Sequence, residues 1–157
     1  MKPTKILNLI GVAAVVSVVG YFLIQLMIGN GLPTPTMELN VVLVQPAIAL
    51  ILFLSALPMV RYKRALKKLE AGKGSRPAPV DSRYAVRTLA FAKSVSITGS
   101  IFVGWQFALL THQLLGPANQ AALGTFFALA GAASMAVVGL IVENLFRVPP
   151  DKNSGKA

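Results

Sequence analysis

Four runs of apolar residues divide the chain, at 6–28, 39–60, 89–110 and 121–142. Each holds about 22 residues, or ~33 Å of helix against a hydrocarbon core of ~30 Å. Backbone groups cannot stay unpaired in lipid, so each run is predicted to be a membrane-spanning helix. The first is preceded by MKPTK, a basic segment of the kind that opens a signal peptide. Its apolar stretch is too long for one and no small-x-small cleavage site follows, so a retained helix is expected. GNGLPTPT, directly after it, reads as a turn. The predicted fold class is all-α, a single domain of four transmembrane helices over 1–150 with a disordered tail at 151–157. The third and fourth helices form a tight antiparallel hairpin in this reading.

Composition agrees with the pattern. The chain of 157 residues is 55% hydrophobic and 13% charged, with a mean hydropathy of +0.67. A soluble domain would carry about a quarter charged residues. There is no cysteine, which excludes disulfides, thiolate metal sites and a cysteine nucleophile.

The net charge of +10 comes from 15 basic and 5 acidic residues, and the basic ones are not scattered. Lys2 and Lys5 precede the first run. Arg61, Lys63, Arg64, Lys67, Lys68, Lys73, Arg76, Arg83 and Arg87 lie between the second and third runs. Lys93 stands just inside the third, and Arg147, Lys152 and Lys156 follow the fourth. The remaining loops, GNGLPTPTME and THQLLGPANQ, hold neither lysine nor arginine. The positive-inside rule therefore predicts a membrane protein with both termini in the cytoplasm.

The cytoplasmic loop 61–88 begins with RYKRALKKLEA, which continues the second helix past Pro58. Tyr62, Leu66 and Leu69 share a face, leaving Arg61, Lys63, Arg64, Lys67 and Lys68 to meet anionic lipid headgroups. Each such residue contributes about 1 kcal/mol of attraction. GKGSRPAP is a hinge, and Asp81 or Ser82 caps the third helix. No aromatic platform accompanies the charge, so nucleic acid is not an expected partner. A membrane or cytosolic protein partner and self-association both stay open.

Lys93 has two readings. Its side chain can snorkel to the headgroups, which is the first. The second is a partner in Glu143, at the corresponding end of the fourth helix. With Arg147 one turn on, and with Arg87, these form an ionic cluster that fixes helix register.

Small residues recur every four positions at Ala92, Ser96, Ser100, Gly104 and Ala108, and again at Gly124, Ala128, Ala132 and Ala136. Such ridges let helices approach closely in lipid. The two are expected to face each other, the competing reading being that one faces another protein. Gln25, Gln45 and Gln106 each fall about a turn inside the outer boundary and are expected to sit near water. A hydrogen-bonded set lining a small outer vestibule is the alternative, beside a kink at Pro46. Trp105 and Tyr21 serve as anchors or packing groups.

Catalytic chemistry is sparse. The single histidine, His112, falls in an outer loop, and no Ser-His-Asp set, carboxylate pair or metal cluster can be assembled around it. GKGS lacks the spacing of a phosphate loop. A proton-coupled exporter would need an ionisable group deep in the membrane, and the first helix offers only Asn8, Ser17 and Gln25. No enzyme, cofactor or metal is expected. The leading expectation is a membrane accessory or scaffold protein, and the alternative is a small transporter or transport subunit.

KPTK at 2–5, DSRYAVRTLAFAK at 81–93, a glycine at 99, GW at 104–105 and ENLFRVPPD at 143–151 resemble an actinobacterial four-span membrane family, domain of unknown function 3180. The resemblance runs from the first helix to the Pro-Pro after the fourth. It implies a plasma-membrane location and an accessory role near folate biosynthesis, whose genes often neighbour those of the family. Arg87, Lys93, Glu143 and Arg147 fall at its characteristic positions. Where the family commonly shows tryptophan and cysteine before RVPP, this chain has Leu145 and Phe146.

Overall fold

The structure, a computed structural model, describes residues 5–33, 35, 39–70, 82–116 and 121–146. The tail at 151–157, the hinge at 72–79, Lys73, Arg76 and Arg147 lie outside the described residues. The described residues form four helices: α1 Ile6–Gly29, α2 Leu39–Glu70, α3 Ser82–Leu115 and α4 Ala122–Leu145. Each contains a stretch long and apolar enough to cross a bilayer. The described residues contain no strand.

The turn after α1 shows how local sequence sets an element's end. Asn30 caps the helix and its Nδ2 donates to the Leu26 carbonyl at 2.7 Å. Gly31 follows with φ +74, a left-handed conformation that glycine adopts without a Cβ clash. The Gly31 N–H then donates to the Ile28 carbonyl at 2.9 Å and the Leu32 N–H to the Met27 carbonyl at 3.0 Å. This is a Schellman termination, which satisfies carbonyls that would otherwise be orphaned at the end of the apolar run.

Two helices outrun the bilayer. With 32 and 34 residues, α2 and α3 are ~48 and ~51 Å long, well beyond a ~30 Å core. The extension of α2 past Pro58 is the one predicted from RYKRALKKLE. The far end of α3 corrects the expected loop. Thr111–Leu115 is helical, so His112 is a half-buried helical residue and Gln113 a buried one.

The four helices do not close into a ring. α3 packs against α4 and α1, and α4 packs against α2; α2 also touches α3, whereas among the described residues α1 meets α3 alone. α2, α3 and α4 thus make a three-helix core, with α1 laid along one side of α3. The first apolar cluster joins Leu52 and Ala56 of α2, Ala92 and Val95 of α3, and Met135 and Val142 of α4. Phe146, just past the end of α4, is buried in it. A second cluster, Ile24 with Ala108 and Leu109, fastens α1 to α3. The outer face of α1, including Leu7, Ile10, Val15, Phe22 and Leu26, is exposed hydrocarbon, the surface a lipid-embedded helix presents.

The small-residue ridges set these contacts, with a correction to their expected pairing. An i, i+4 row on a helix of about 100° per residue turns by about 40° at each step. The row from Ala92 to Ala108 therefore swings about 160° around α3. It begins against α4, where Gly139 lies over Ala92 and Ser96, and Gly99 over Ala136. It ends against α1, where Gly104 meets the Ala13 carbonyl and Ala108 meets Gly20. One ridge thus serves two neighbours, on opposite sides of α3. On α4, Ala128 and Ala132 are buried and Ala136 is half-buried. Gly124 faces open space, and it is Gly131, off the predicted ridge, that receives α2.

Candidate functional site: a polar interior between three helices

Glu143 lies one turn beyond Gly139, toward the end of the molecule that carries Lys5, Arg61, Arg64, Lys68 and Arg87; that end is called basic below. Because Gly139 faces Ala92 and Ser96, Glu143 reaches the level of the 89–93 turn of α3, where Lys93 stands. Glu143 is buried, at 7% exposure, and Lys93 is half-buried. Arg87 is exposed on the extension of α3. The helix register thus brings two of the four predicted cluster residues to one depth.

A clamp ties the long helices together at the same end. The Tyr84 hydroxyl of α3 donates to the Ser55 carbonyl of α2 at 2.6 Å. Ser55 lies three residues before Pro58, which has no N–H to give the turn it sits in. Above that, α3 keeps its polar groups local. The hydroxyls of Ser96 and Ser100 donate to the Lys93 and Ile97 carbonyls at 2.9 and 2.7 Å. Intrahelical bonding of this kind lets serines lie in an apolar core without a cross-helix partner.

The glutamines behave otherwise. Gln106 Nε2 donates to Gln45 Oε1 at 3.1 Å, and both side chains are inside, at 0% and 3% exposure. The expectation that each glutamine sits near water is overturned for these two. Gln25 is exposed on α1 and takes no part in the pair. Gln45 lies beside Gly131, near the middle of α4. Gln106 lies between Gly104, which meets Ala13 and Val16, and Ala108, which meets Gly20, so it stands level with the middle of α1. The pair is thus level with the middle of α1 and α4, while on α2 Gln45 is the seventh residue, ~9 Å from the helix start. The alternative reading of a hydrogen-bonded set holds for two of its three members, Gln45 and Gln106.

Gln113 was missed altogether, because the outer loop was drawn to include it. It is 1% exposed. The available signal was its spacing of seven from Gln106, which returns to the same helix face. Thr125 of α4 is also fully buried, its hydroxyl donating to the Ala121 carbonyl at 3.3 Å. On the other side of α3, an open apolar groove follows the α1 seam past Ala13, Ser17, Val18, Val103 and Phe107.

These features define an all-helical, multi-pass class of membrane protein with a polar interior. The chain belongs to the family described as protein of unknown function DUF3180, whose model matches residues 9–150. No curated protein and no solved structure matches it.

Proposed function

We propose that the chain is a non-enzymatic accessory or scaffold protein of the plasma membrane, with both termini in the cytoplasm and its basic end as a docking surface for an acidic partner protein. The observation that carries this reading is the pair of helical extensions. α2 and α3 run past their apolar segments at the same end and are joined there by Tyr84 and Ser55. Arg61, Arg64, Lys68 and Arg87 stand exposed on them. Paired basic rods at the headgroup level hold the chain to anionic lipid and leave cationic side chains for a partner. The folate-pathway neighbourhood implied by the family resemblance makes proteins of that pathway the first partners to seek.

Gentle extraction of the full chain, followed by identification of attached proteins, tests the docking. The triple variant Arg61→Gln, Arg64→Gln, Lys68→Gln is expected to fold as before and to lose most of the attached partner. Equal recovery would remove the proposal. Orientation is checked on intact cells, because the cysteine-free chain allows single labels. An impermeant maleimide is expected to modify Leu32→Cys and to leave Ser154→Cys unreacted.

The shared depth of Lys93 and Glu143 supports a register-fixing role for the predicted ionic cluster. In a double-mutant cycle, Lys93→Ala and Glu143→Ala are expected to couple by on the order of 1 kcal/mol in thermal stability. Strict additivity would leave Lys93 to the headgroups alone.

The second reading, a small transporter or transport subunit, is favoured by the buried amide pair between α2 and α3. Solute flux in liposomes holding only this chain would decide for it.

A further inference from the structure

The amide pair between α2 and α3 is only half satisfied. Gln45 Nε2 and Gln106 Oε1 are buried and have no hydrogen-bond partner, and Gln113 Oε1 is in the same condition. Exchanging oxygen and nitrogen in both amides gives the same result. One bond joins the pair, and one donor and one acceptor remain turned away from it. A donor or acceptor left this way inside a membrane is costlier than at a protein surface, because no solvent can make up the difference.

The surroundings add further features. Gly131 presents a hydrogen where a Cβ would lie 3.3 Å from Gln45 Oε1 and 3.2 Å from the Pro46 ring. Pro46 has no N–H for the Val42 carbonyl, one turn away on the same helix. Gln113 is two turns farther along α3, or ~10 Å, at the level where α4 begins. The stretches flanking the pair, 41–57, 94–111 and 121–142, contain no Asp, Glu, Lys, Arg or His. A charged guest would meet no counter-charge there.

We propose that Gln45 and Gln106 form a buried binding site between the helices for a small uncharged molecule that carries both a hydrogen-bond donor and an acceptor, a hydroxyl or amide compound of which water is the smallest. The guest accepts from Gln45 Nε2 and donates to Gln106 Oε1, closing the open side of the pair. Gln113 supplies a second unpartnered acceptor ~10 Å farther along α3. The site stands whichever of the two functional readings holds.

The test uses the full chain, isotopically labelled, in lipid bilayers. Solid-state NMR follows magnetisation transferred from water to side-chain NH₂ groups, with the Gln45 signal assigned by its loss in Gln45→Leu. Transfer to Gln45 is expected, with none to the fully buried Leu52 and Ala132 in the same spectrum. Carbon-labelled urea and glycerol are then added in turn. Contact with either identifies a guest larger than water, and contact with water alone identifies water as the occupant. Both results support the site. A Gln45 amide dark to water, urea and glycerol alike, in a protein whose other signals are intact, would overturn it.

Discussion

Gly139→Val is expected to abolish recovery of folded, monodisperse protein, or to lower its stability by about 3 kcal/mol or more. A Cβ on Gly139 would lie 2.8 Å from both the amide nitrogen and the Cβ of Ser96, and 2.9 Å from the Ala92 carbonyl oxygen. Two of these are backbone atoms of a helix, which cannot rotate out of the way as a long side chain can. The branched side chain would have to move α3 and α4 apart as rigid bodies. In lipid this is especially damaging, because close packing and dispersion hold the helices together without a hydrophobic drive. The seam also sets the depth of Glu143 relative to Lys93, so the ionic register would be lost with it. Gly124→Val is the matched control. Gly124 is on the ridge read from the sequence, yet a Cβ there meets nothing within 4 Å. Thermal unfolding of the size-exclusion peak in mild detergent separates the two variants. Equal midpoints would mean that α3 and α4 do not touch at Gly139.

That contrast shows what a sequence can and cannot reveal in a membrane chain. The spans were legible because lipid imposes one length and one composition on every crossing helix. Gly31 and the helical character of RYKRALKKLE were legible because turn chemistry and amphipathic spacing are local. The small-residue rows were legible as rows, but not as contacts. Spacing of four specifies a slowly turning stripe, and which neighbour it meets at each height depends on where the other helices stand. Hence Gly104 and Ala108 were assigned to α4, whereas they receive α1. α1 itself has no polar face to mark its lipid side, so its place outside the core left no trace in hydropathy. Gln113 was hidden for a related reason. Thr111, His112 and Gln113 form a polar triplet that looks like a loop, and their burial comes from the tertiary packing of the far end of α3.

Gln106→Leu is expected to destabilise the protein by about 1–3 kcal/mol, and the double variant Gln45→Leu, Gln106→Leu to recover most of that loss. The two magnitudes involved differ enough to make the result diagnostic. A side-chain hydrogen bond between membrane helices contributes on average about 0.6 kcal/mol. If the bond were all that the pair supplied, each single variant would cost about that amount, and the double no more than a single. Removing Gln106 does more. It leaves the Gln45 carboxamide, at 3% exposure, without its amide partner among apolar neighbours. The larger cost is that of the stranded amide, and Gln45→Leu in the same chain removes it, since leucine matches glutamine closely in volume. By the same argument Gln45→Leu alone strands the fully buried Gln106, so the cycle should show a non-additivity larger than either single loss, with the double variant near the parent. Simple addition of the two single losses would mean that the amides are solvated independently, and neither the pair nor a guest held between its members would stand.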